Sequence, residues 1–137
     1  MQPNLLTDAI IGAAIDVHRE LGPGLLESVY QTCLVLELRQ RGYSVGAEIP
    51  LPIHYRGHVI HDEGFRIDLL VDDQIVVELK SVEKVQPVHL KQLLTYLRLA
   101  SKSIGLLINF NVPLLKDGIQ RVINNDHSVK PPLIDQH

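Results

Sequence analysis

The fifteen residues from Arg66 to Lys80, RIDLLVDDQIVVELK, decide the fold. Two β-prone runs, Phe65 to Val71 and Gln74 to Leu79, flank Asp72-Asp73, a pair that favours tight turns, so the stretch reads as a β-hairpin. Most of it is apolar enough for a core. Yet its first strand carries Asp68 and its second carries Glu78 and Lys80, and an unpaired charge is costly in apolar surroundings. Side chains alternate across a strand, so Glu78 and Lys80 project from one face while Val77 and Leu79 point to the other. Carboxylates with an ammonium beside them are what a hard divalent cation and a phosphate together require. The alternative is a buried ion network in which Glu78 and Lys80 pair with each other or with Arg66.

Upstream of the hairpin, Leu6, Ile10, Ala13, Ala14, Val17 and Leu21 recur at three- and four-residue steps and predict a helix from about residue 4 to 21. Gly22-Pro23-Gly24 ends it, and a second helix is expected from about Leu25 to Arg41, with Leu26, Val29, Cys33 and Leu36 on one side. Extended structure follows from Tyr43 to His61, with Pro50 and Pro52 marking an edge strand and Arg56-Gly57-His58 a turn. Downstream, Pro87 to about Ser101 reads as a third helix packing through Leu90, Leu93, Leu94 and Leu97. Ser103 to Phe110 has the length and composition of a buried strand, and Gly118 to Ile123 that of a last edge strand. Asn124 onward is polar and contains prolines, and is expected to be loose, with a flexible tail over 126–137.

A chain of 137 residues, 45% hydrophobic, suits one domain with a real core. Its net charge of −3 leaves no general basic footprint, so any nucleic-acid partner must be met by a local patch. A single cysteine, Cys33, excludes an internal disulfide framework and suits a reducing compartment, with the cytoplasm as the default. The N-terminal segment lacks the charged start of a signal peptide, and Asp8 and Asp16 break its apolar run. The order of elements is an α/β plan with a mixed sheet. His18 is expected in a capping or surface role and Cys33 in the core.

Three spacings then converge. Asp68 followed ten residues later by Glu78-Leu79-Lys80 resembles the active-site signature of the PD-(D/E)XK nuclease superfamily. Gln92 and Tyr96, four apart on the helix after that strand, resemble the QxxxY element of one branch of it. Gly24-Leu25-Leu26-Glu27-Ser28-Val29-Tyr30 resembles the GxxExxY signature that names a small bacterial and archaeal family of that superfamily, and the likeness covers roughly residues 5 to 124.

The resemblance implies a restriction-endonuclease-like, three-layer α/β core with helices flanking a central mixed sheet. It implies a nuclease that hydrolyses phosphodiester bonds in DNA, with RNA the alternative substrate. Asp68 and Glu78 would bind Mg²⁺ or Mn²⁺, with the backbone carbonyl of Leu79 as a further ligand. Lys80 would position or deprotonate the attacking water, or stabilise charge in the transition state. Glu27 would reach the site from its helix, and Gln92 and Tyr96 would orient water or a phosphate oxygen. Lys91, Arg98 and Lys102 share another face of the third helix and are the expected substrate-binding stripe, against the alternative of an ordinary solvated face. Many superfamily members cut two strands with two subunits, which leaves a homodimer open. A non-catalytic module that binds nucleic acid or protein on the same scaffold is the rival reading.

Overall fold

The computed structural model describes residues 1–62 and 64–125, so the tail expected over 126–137 lies outside the described residues. Two helices come first, α1 (Pro3–Leu21) and α2 (Glu27–Gln40). Strands β1 (Val45–Pro50), β2 (Ile53–Tyr55), β3 (His58–Ile60), β4 (Arg66–Val71) and β5 (Ile75–Lys80) follow. Helix α3 (Pro87–Ala100), β6 (Ile104–Asn109), a 3₁₀ turn (Leu115–Gly118) and β7 (Ile119–Ile123) complete the order. Among the described residues no helix is long and apolar enough to cross a membrane.

The main sheet runs β1-β4-β5-β6-β7, and β2 and β3 form a separate two-stranded ribbon. The β5–β6 pair is parallel, and α3 makes the crossover between them; the remaining neighbours in the sheet are antiparallel. The hairpin expected from sequence is present. Asp72 and Asp73 both take positive φ, +50° and +55°, the backbone of a turn whose twist matches that of its flanking strands. Asp72 is also fixed from outside, because its carboxylate accepts the Ser44 amide at 2.9 Å.

Side-chain alternation divides the core into two. Leu69, Val71, Ile75, Val77 and Leu79 pack with α1 and α2, while Val76 and Leu107 pack with Leu93, Tyr96 and Leu97 of α3. Helices therefore cover both faces of a mixed sheet, giving the three-layer α/β architecture. Ile67 departs from the alternation: it packs on the α3 side although Leu69 and Val71 pack on the other, so β4 twists about Asp68.

Three expectations need correction. Helix α2 buries Tyr30, Leu34, Val35 and Leu38 and leaves Leu26, Val29 and Leu36 exposed, with Cys33 only partly buried. Apolar residues occur on both sides of this helix, so periodicity fits either face. Tyr30 decides between them, because its ring stacks on Phe110 with centroids 4.3 Å apart. Asn124 is also not loose: it is buried, and its amides donate to Ser103 and Lys102 carbonyls. Likewise His18 is buried, and its Nε2 bonds the Val112 carbonyl at 2.8 Å.

Gly118 gives a direct check on this packing. A Cβ there would stand 2.2 Å from the backbone oxygen of Asn109. Backbone cannot yield as a flexible side chain would, so Gly118→Ala should destabilise by about 1–3 kcal/mol or more. Urea unfolding reads the loss directly, and an unchanged midpoint would contradict the close approach.

Candidate active site

The β4–β5 ladder pairs Val71 with Ile75, Leu70 with Val76 and Leu69 with Val77, and there it stops. One step further, Asp68 and Glu78 face each other across parted strands. Side chains take over from the missing backbone bonds: the Leu79 amide donates to Asp68 Oδ2 at 2.8 Å, and the Asp68 amide donates to Glu78 Oε1 at 3.3 Å. On the other flank of β4, β1 pairs Ala47 with Leu69 and Ile49 with Ile67 but skips Glu48. Glu48 stands opposite Asp68 with φ +53°, a conformation unusual for any residue but glycine. Both ladders beside Asp68 are thus interrupted at the same level of the sheet.

The far side of β5 remains paired to β6, where the Phe110 amide donates to the Lys80 carbonyl. Carbonyls alternate in direction along a strand, so the Leu79 carbonyl turns, with its amide, toward the gap beside β4. Glu78 is 7% exposed, Asp68 is half-buried and Lys80 lies at the end of the strand, also half-buried.

Glu27 arrives from the first turn of α2. The bend upstream of it, Gly22–Leu25, is fixed from below by Tyr30 of α2, fully buried, which donates its hydroxyl hydrogen to the Gly22 carbonyl and accepts the Leu25 amide. Ser81 joins this bend to the end of β5: its hydroxyl donates to the Leu25 carbonyl at 2.6 Å, and its amide donates to Glu27 Oε1 at 3.4 Å. Asn109 holds the next residue, accepting the Val82 amide at 3.1 Å and donating to the Val82 carbonyl at 2.9 Å. The result is a cleft of about 530 Å³ whose walls include Glu27, Gln31, Glu48, Arg66, Asp68 and Ser81.

The electrostatics follow from this geometry. Burial raises the Asp68 carboxyl above its ordinary value, the Glu48 and Glu27 charges add to the rise, and the Leu79 amide and Lys80 oppose it. Burial and the Asp68 charge push Glu78 up to about 8. Burial likewise raises Tyr96, with the Glu78 and Asp68 charges contributing, which places that ring near both carboxylates. A site that resists holding two negative charges is one that a cation would relieve. Among the described residues, no three His, Cys, Asp or Glu side chains converge as a metal-ligand group. Mg²⁺ is nevertheless commonly held by one or two carboxylates and waters, so the donor set of Asp68, Glu78 and the Leu79 carbonyl fits it.

The residues singled out from sequence fall into two groups. Asp68, Glu78, Leu79, Lys80, Glu27 and Tyr96 surround the parted strands. Tyr96 sits there with its hydroxyl donating to the Gly64 carbonyl at 3.3 Å. Gln92, one turn earlier on α3, is exposed, as are Lys91 and Arg98. Lys102 is elsewhere: it pairs with Asp73 at 3.2 Å, in the turn at the opposite end of β5 from Glu78. Arg66 pairs with Glu48 at 3.5 Å, so the ion network weighed for it runs to β1. Sequence reasoning passed over Glu48, Ser81 and Asn109. Of these only Asn109 left a signal, an amide in an otherwise apolar strand.

In the metal-free protein, the raised Glu78 value has a defined consequence for stability. An acid whose value lies near 4.5 in the unfolded chain and about 8 in the fold stabilises the fold when protonated. That contribution is complete at pH values below the unfolded value and is lost as pH rises through the folded one; the raised Asp68 acts in the same direction. Urea midpoints measured in EDTA should therefore fall from mildly acidic to mildly alkaline pH, and Glu78→Gln should flatten the decline. Parallel wild-type and variant curves would contradict the assignment.

A model of the PD-(D/E)XK nuclease superfamily matches residues 4–122, from the first turn of α1 into β7. No curated protein and no solved structure shows a significant match to the chain. The matched segment spans most of the sequence and contains the parted strands, the cleft and α3. On that extent of agreement, the chain belongs to the PD-(D/E)XK nuclease superfamily.

Proposed function

We propose that the protein is a metal-dependent nuclease that hydrolyses phosphodiester bonds in DNA, on the GxxExxY branch of its superfamily. The observation that carries this reading is the opening of the sheet at Asp68 and Glu78, with Lys80 and Glu27 beside it. Asp68, Glu78 and the Leu79 carbonyl would hold Mg²⁺ or Mn²⁺. Bound there, the cation supplies positive charge that polarises a phosphoryl oxygen and makes water more acidic.

The chain's own groups divide the remaining work. Lys80, half-buried at the end of β5 two residues beyond Glu78, would hold negative charge as it develops on the phosphate. Glu27, which lines the cleft and accepts the Ser81 amide, would take a proton from water entering it. Tyr96 orders the segment leading into β4 through Gly64. Gln92, exposed one turn away, can offer its amide to a phosphate oxygen. Lys91 and Arg98 remain available for phosphate, whereas the Asp73 ion pair draws Lys102 away.

Incubation with single-stranded, duplex and branched DNA and with RNA, in Mg²⁺, Mn²⁺ or EDTA, tests this reading. Wild type should cleave DNA with either metal and not in EDTA, and Asp68→Asn should abolish cleavage. Lys80→Ala should retain the Mn²⁺-induced rise in melting temperature while losing roughly 10²–10³ in turnover, the loss typical when one charge-stabilising group is removed. No cleavage of any substrate, or an unchanged rate in Lys80→Ala, would refute the proposal.

A further inference from the structure

Arg66 belongs to two concavities. One is the cleft it shares with Asp68 and Glu48, and the other is a depression of about 180 Å³ that it lines with Pro50, Leu51, Pro52, His61 and Asp62. The β2–β3 ribbon is joined to the chain at this second depression, through Pro52 and His61. A two-stranded ribbon is marginal in water without a further strand or core to cover it. From His54 to His61 every residue of this ribbon is exposed, including Tyr55 at 50% and Val59 at 51%. At its tip the Arg56 guanidinium lies 5.3 Å over the Tyr55 ring. Between Ile53 and His61 there is no acidic residue, although the whole chain carries −3, and three of its seven histidines lie there with Arg56.

We propose that the ribbon is a docking surface for a single-stranded segment of the nucleic-acid substrate. The strand leaves the cleft past Arg66 and lays a base on the Tyr55–Arg56 tip. This rests on the nuclease reading and specifies its substrate as one with unpaired nucleotides beside the bond that is cut. Three observations favour this occupant. The ribbon's local charge is opposite to that of a phosphate backbone and to the chain's own average. An exposed ring with a guanidinium over one face leaves its other face for an unstacked base, which a closed duplex does not present. Arg66 is also common to both concavities, so the cleft adjoins the depression at the base of the ribbon. The Glu48–Arg66 pair is half-exposed on both sides, so it is weak enough for a phosphate to draw the guanidinium away.

Fluorescence anisotropy in EDTA at low salt, with a labelled oligothymidylate and a labelled duplex as probes, tests the ribbon without turnover. Wild type should bind the oligothymidylate more tightly than the duplex. Tyr55→Ala should weaken oligothymidylate binding by roughly tenfold, as expected for loss of one stacked base, while Tyr55→Phe retains it. Arg56→Ala and Arg66→Ala should each weaken it as well. Tyr55 and Arg56 are exposed, so their variants should keep the wild-type melting temperature. Unchanged affinity in Tyr55→Ala and Arg56→Ala, preference for duplex, or no binding by wild type would overturn the proposal. If these variants bind and cleave as wild type does, the ribbon proposal alone fails. Ribbon-dependent binding with no cleavage of any substrate in either metal would instead overturn the nuclease reading alone.

Discussion

The structure turns on an exchange of hydrogen bonds at one level of the sheet. Where β4 and β5 part, the amides of Leu79 and Asp68 are bonded by the carboxylates of Asp68 and Glu78. A buried amide without a partner costs about 1–3 kcal/mol, so the carboxylates satisfy a need that the parted strands create. In return each carboxylate is held by main chain and lies close to the other. The same contacts therefore end the ladder and assemble the site. Their cost is electrostatic, because burial and mutual repulsion disfavour full ionisation of the pair.

The surrounding elements brace this gap. Tyr30, stacked on Phe110, holds the bend before α2; Ser81 ties that bend to the end of β5; Asn109 holds Val82. Phe110 and Asn109 are consecutive, so the end of β6 supports both arms. The tyrosine of the GxxExxY pattern thus acts beneath the cleft, through Gly22 and Leu25, while the glutamate of the pattern lines it. Gly24 contributes backbone freedom, with φ +98° in the bend itself.

Much of this was legible in the sequence, for physical reasons. The charges at Asp68, Glu78 and Lys80 stood out because a greasy hairpin has no packing use for them, and strand alternation put Glu78 and Lys80 on one face. The helix and strand boundaries followed from glycine, proline and the two hydrophobic periods. What the sequence did not disclose depends on contacts between distant segments. Glu48 meets Asp68 only because β1 pairs with β4 in one particular register, and its positive φ cannot be read from a residue that ordinarily avoids it. The buried face of α2 was ambiguous because leucine and valine occur on both sides, and only the Tyr30–Phe110 stack selects one. Spacing alone puts Lys102 on a helix face with Lys91 and Arg98, but it lies past the end of α3 and its partner Asp73 comes from the β4–β5 turn.

The central claim is that the parted strands are a metal centre for phosphodiester hydrolysis. Crystals soaked with Mn²⁺, examined by anomalous diffraction at the manganese edge, test it most directly. The account predicts a peak between the carboxylates of Asp68 and Glu78, within bonding distance of both and lost in Asp68→Asn. A manganese peak confined to other carboxylates, with Asp68 and Glu78 unchanged and unliganded at millimolar metal, would contradict it.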